Sequence, residues 1–226
     1  MEDGSVVARN ADASLVRSGL RTPHAAAIAG IVFSVLLMAS LWLLRLTVPA
    51  NPLEPGAWLE TETRRVTVAL NLIPYAGIAF LWFIGVLRDR LGKREDQFFA
   101  TVFLGSGFMF LGTLFVAAAA VGGLVLAYSA EPGRLMESAT FAFARAFIFD
   151  IMHVYAYRMA GVFMITVSTL AFSTRFIPRW IAVLGYACAA FLLFGSGYFD
   201  WALFIFPAWV LLVSCLILIE NSRDRP

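Results

Sequence analysis

"FFATVFLGSGFMFLGTLFVAAAAVGGLVLAY", Phe98 to Tyr128, runs for 31 residues without a single charged side chain. About 20 apolar residues suffice to cross a bilayer core as a helix. At roughly 1.5 Å per residue this stretch reaches about 46 Å, so it reads as a span that tilts or projects beyond the hydrocarbon. The rest of the chain agrees. Of 226 residues, 61% are apolar and only 14% charged, whereas soluble domains keep about a quarter of their residues charged. Lipid is the solvent this composition requires.

Five further runs flank the first: Ala25 to Leu44, Val66 to Leu87, Ile151 to Phe172, Trp180 to Phe194, and Trp201 to Ile219. The expected fold is all-α, a polytopic membrane bundle of six transmembrane helices over residues 23–220. A disordered tail of residues 1–22 precedes it and a short tail of residues 221–226 comes after it. The first run exceeds a signal-peptide core in length, and Arg45 and Pro49 crowd the would-be cleavage site, so it reads as a retained span. "PANPLEPGAW" after it carries three prolines and a glycine and predicts an irregular loop. "GSGYFD" predicts a tight turn between the last two spans.

Arginine and lysine placement sets the orientation. With the N-terminus inside, eleven basic residues fall on the inner side and five on the outer, with Arg158 set apart as intramembrane. The loop "RDRLGKREDQ" supplies much of that excess. Both termini are therefore expected in the cytoplasm.

The polar residues within the spans are the candidate site. On a regular helix Asp150, His153, Tyr157, Gly161, Met164 and Ser168 share one stripe, with Arg158 at its edge. An arginine at a helix centre costs about 2.5–3.5 kcal/mol on insertion scales, and it recovers hydration by leaning toward its own helix N-terminus. Asn71 and Asp200 fall at comparable depth. An outward-facing ligand or ion pocket of Asn71, Asp150, His153, Tyr157, Arg158 and Asp200 is therefore a hypothesis. Its alternative is purely structural, with the same residues pairing to fix helix register.

Several chemistries are excluded. The net charge of +2 and the lack of a basic stripe argue against a nucleic-acid partner. Cys188 and Cys215 lie in apolar runs and imply neither disulfide nor metal cluster. His153 is the only histidine within a span, so a bis-histidine haem site lacks its second ligand. Neither "GSG" matches a nucleophile elbow, and phosphate-binding fingerprints are absent. No cofactor is expected. Ala26, Gly30 and Ser34 recur every four positions on the first span, a face suited to close helix packing.

The run "FLWFIGVLRDRLGKREDQFFATVFLGSG", Phe80 to Gly107, resembles that of small six-span membrane proteins of high-GC, actinobacterial-type bacteria. The resemblance carries over no functional residues and implies a bacterial inner membrane. Three functions remain open at this point. The first is an accessory or structural bundle working through contacts with lipid, a second copy or another membrane protein. The second is a small-solute or ion permease, and the third is an enzyme acting on lipid.

Overall fold

The computed structural model describes residues 23–54, 56–91, 97–174, 178–195 and 199–223. The expected tail of residues 1–22, the centre of the charged loop, the glycine turn at 196–198, the last three residues and the side chain of Asp200 lie outside the described residues. Among the described residues the fold is all-helical.

The long helices are α1 (Pro23–Thr47), α3 (Thr63–Leu91), α4 (Gln97–Ala130), α7 (Tyr157–Thr174), α8 (Arg179–Phe194) and α9 (Ile205–Arg223). Between them lie the one-turn helices α2 (Trp58–Thr61) and α5 (Pro132–Leu135), then α6 (Ala139–Asp150). A π-helical segment, Ile151–Ala156, joins α6 to α7, and a 3-10 turn, Asp200–Phe204, leads into α9. Five stretches are long and apolar enough to cross a membrane: Ala25–Thr47, Thr63–Arg88, Phe98–Ala130, Ala139–Phe172 and Trp201–Ile219. The sixth expected span, α8, has 16 residues. That is about 24 Å against a hydrocarbon core of about 30 Å, so it falls short of the others.

One boundary differs from expectation in a way that matters. The fourth span begins at Ala139, twelve residues before Ile151. Ser138 starts the helix by accepting a hydrogen bond from the Phe141 backbone N–H at 3.2 Å, which satisfies one of the orphan donors of a first turn. The apolar run ATFAFARAFIF then propagates it. Arg145, which reads as a loop charge in the sequence, lies inside this helix. Pro74 sits within α3 without ending it, as membrane helices allow when neighbours re-satisfy the freed backbone.

Packing reflects size at the contact points. α1 lies between α3 and α9, α7 lies between α4 and α8, and α9 touches α8. Ala26, Gly30 and Ser34 are buried, and Gly30 leaves so little room that an added Cβ would meet Ser214 Oγ and the Phe83 ring. Ser40 Oγ donates to the Ala69 carbonyl at 2.8 Å, a direct bond between α1 and α3. The interior is a phenyl cluster drawn from five helices. Phe80 touches Phe33 (ring centroids 4.5 Å), Phe163 (5.4 Å) and Phe206 (5.8 Å), and Phe206 meets Phe110 at 4.6 Å. A second, smaller cluster of Trp58, Leu59, Val66, Val121, Leu124 and Phe141 roofs one end of the bundle, hereafter the Trp58 end. Outward-facing Ile28, Val32, Ile78, Trp82, Phe108 and Met109 are exposed, so the bundle is apolar outside as well as inside.

Candidate functional site

The Trp58 end is held by Arg145. Its helix brings it under the irregular loop after α1, and Nη2 donates to the Pro49 carbonyl (2.9 Å) and the Asn51 carbonyl (3.1 Å). The guanidinium lies over the Trp58 ring, 5.8 Å from its centroid. Arg145 is 6% exposed and forms no ion pair among the described residues. The ion pairs at this end, Arg65 with Glu62 and Arg134 with Glu131, are on the surface. Among the described residues its Nε has no hydrogen-bond partner, and neither does the buried Nε1 of Trp58 beside it. Buried donors are ordinarily satisfied, so two orphans in one place mark a spot that lacks an acceptor.

Below Arg145 lies a cavity of about 140 Å3. Arg45, Arg145, His153 and the loop residues Val48, Pro49, Ala50 and Pro52 line its polar end, while Leu41, Leu44, Leu70, Ile73, Leu114, Val121 and Ile148 line its body. It is closed below. Leu41, Leu114, Met152 and Leu203 also border a much smaller space of about 10 Å3, whose other walls include Tyr157, Phe110 and Phe206. The shared residues Leu41, Leu114, Met152 and Leu203 are thus the cavity floor, and Phe110 and Phe206 stand beyond the small space.

The π segment sets the wall that carries Met152 and His153. A π turn fits one extra residue into the helix, rotating the helix before it by about 100° relative to the helix after it. Tyr157, Gly161, Met164 and Ser168 are buried along α7, but Asp150 lies before the turn and is exposed. His153 Nδ1 donates to the Phe149 carbonyl at 2.9 Å, so Nδ1 carries a proton. Its ring stacks on Phe149 at 4.0 Å and meets Tyr157 edge-on at 5.2 Å.

Five of the six sequence candidates divide, and the side chain of the sixth, Asp200, lies outside the described residues. His153 lines the cavity and Tyr157 the small space beneath it. Asp150 and Arg158 are exposed on the outside of the helix, with Arg158 Nη1 donating back to the Val154 carbonyl at 3.3 Å, toward its own N-terminus. Asn71 is exposed in a separate groove between α3 and α4. Arg145 is the residue that sequence reasoning missed. Its signal was Ser138 as a cap, followed by eleven residues of which only Arg145 is charged.

A helical membrane bundle with an apolar cavity beneath a buried arginine at one end is the class of protein these features define. Comparison with family models, curated proteins and solved structures returns no match for this chain.

Proposed function

We propose that this chain is a six-crossing protein of the bacterial inner membrane, with both termini cytoplasmic. It works as an accessory or structural component, through contacts in the plane of the membrane. The single observation behind this reading is the phenyl cluster, which fills the bundle interior where a solute path would have to run. The exposure of Asp150 and Arg158 on the outside of their helix and of Asn71 in a separate groove supports it, because a conduit needs its polar groups on an inner lining.

α8 supplies the sixth crossing. It packs along α7, and a span about 6 Å short is accommodated by local thinning of the bilayer. Six crossings put both ends of the chain on one side, in line with the excess of arginine there. The abundance of arginine, with Lys93 the sole lysine, fits a high-GC genome.

Cysteine labelling tests both parts. Cys188 and Cys215 are replaced, and a membrane-impermeant maleimide is applied to intact cells. Asn51→Cys labels, placing the Trp58 end outside, whereas Tyr157→Cys stays protected until the protein is denatured. Labelling of Tyr157→Cys from either side of the membrane would restore the permease reading. An Asn51→Cys that reacts only after permeabilisation would invert the topology.

A further inference from the structure

Arg145 poses a problem that the bundle itself leaves unsolved. A guanidinium buried away from water is costly unless it is paired and its donors are satisfied. Here two carbonyls satisfy Nη2, while among the described residues the charge has no carboxylate within ion-pair distance and Nε has no acceptor. Glu54, exposed on the loop, attracts it only from a distance. Among the described residues, Trp58 Nε1 is a second buried donor without a hydrogen-bond partner. Arg145 is on the cavity wall, and its buried charge and unfilled Nε call for an anion's oxygen there.

The space beneath that spot is apolar. Its volume of about 140 Å3 is close to that of an engineered, dry protein cavity of about 150 Å3 that binds benzene, so it holds about six carbons of a chain. Leu70, Ile73 and Ala118 belong both to this cavity and to the groove between α3 and α4 that contains Asn71 and Pro74. The two spaces therefore share a wall, and that seam gives a longer chain a way to lie between cavity and lipid. A helix seldom adopts a π turn, and such turns gather at functional sites. This one carries Met152 and His153 into the cavity wall.

We propose that the cavity binds a single-chain carboxylate amphiphile of the fatty-acid class. Its head lies on Arg145 and its first carbons lie among Leu41, Leu44 and Leu114. A carboxylate is favoured over a phosphate ester because the loop carbonyls already occupy Nη2 and the negative charge of Glu54 already acts on the same guanidinium. A compact monoanion needs fewer donors there than a phosphate. The inference goes beyond the accessory reading and stands or falls separately from it.

The test uses the full-length protein in phosphatidylcholine nanodiscs with a photoreactive palmitic acid, compared with the matching photoreactive hexadecanol. The acid labels the cavity-lining parts of α1 and α4, and unlabelled palmitate competes it away. The alcohol labels the same peptides at least tenfold less. Arg145→Gln, which keeps an amide donor for the loop, lowers acid labelling to the alcohol's level. Leu114→Trp, which fills the cavity, abolishes labelling by both. Where Leu114→Trp does not elute as a monodisperse protein, Ala118→Phe at the seam is used, with the same loss expected. Equal labelling by acid and alcohol, or label confined to outward positions such as Ile28 and Trp82, would overturn the proposal. Stronger competition by lysophosphatidic acid than by palmitate would also overturn it, in favour of a phosphate head.

Discussion

Two arginines thirteen residues apart on one continuous helical stretch meet opposite fates, and the sequence draws attention to the wrong one. Arg158 stands out because it sits deep in an apolar run, yet it is exposed on the outer face and makes one long bond to its own helix. Arg145 looks like a loop residue, yet it is buried and joins α6 to the loop after α1. Hydrogen bonds to charged groups contribute about 1.5–3 kcal/mol net, and two carbonyls lose their donor if Arg145 is removed. Arg145→Leu is therefore expected to lower the thermal midpoint in detergent by several degrees. Arg158→Leu should leave it unchanged or raise it, because the variant also removes a charge from the apolar run. Equal losses from the two would mean that Arg158 has a structural partner as important as the loop.

At the scale of elements, the spans were legible because a bilayer demands about 20 apolar residues and little else. Boundaries were less so. The start of α6 was hidden because a single arginine made an apolar stretch resemble a loop, although Ser138 marks a helix start. The π segment was not legible at all. IMHVYA has nothing in its composition to distinguish it from an α-helical turn, so a stripe drawn at 100° per residue places Asp150 with Tyr157, while the structure separates them. The segment has a testable consequence. Deleting Val154 restores α-helical phase and rotates α6 by about 100° relative to α7, which carries Arg145 away from Pro49 and Asn51. The deletion is expected to destabilise about as much as Arg145→Leu, and the double variant little more than either, because both remove the same contacts. Thermal unfolding of the four proteins decides it. Fully additive losses would show that the π segment does not position Arg145.

At the scale of the molecule, the sequence separates inside from outside only where small residues mark a packing face, for a physical reason. Lipid tails are as apolar as a protein core, so no polar face marks the surface. Phe108 and Phe110 stand two residues apart, 52% and 5% exposed respectively, and nothing in their neighbours distinguishes them. Of 21 phenylalanines, those that close the interior are recognised only by their contacts across five helices. Phe206 stands beyond the small space under the cavity, and its part in closing the interior is testable. Phe→Ala in a soluble core costs about 3–5 kcal/mol, part transfer and part cavity. In a bilayer the transfer part largely disappears, so Phe206→Ala is expected to cost less than this range while Phe108→Ala costs almost nothing. The more informative readout is access. Phe206→Ala merges its vacated volume with the small space beside Tyr157, so Tyr157→Cys, protected in the parent, becomes reactive toward the impermeant maleimide from the Trp58 end. Protection that persists in the double variant would show that helix packing at Leu41 and Leu114 closes the interior, with the phenyl cluster merely filling space behind it.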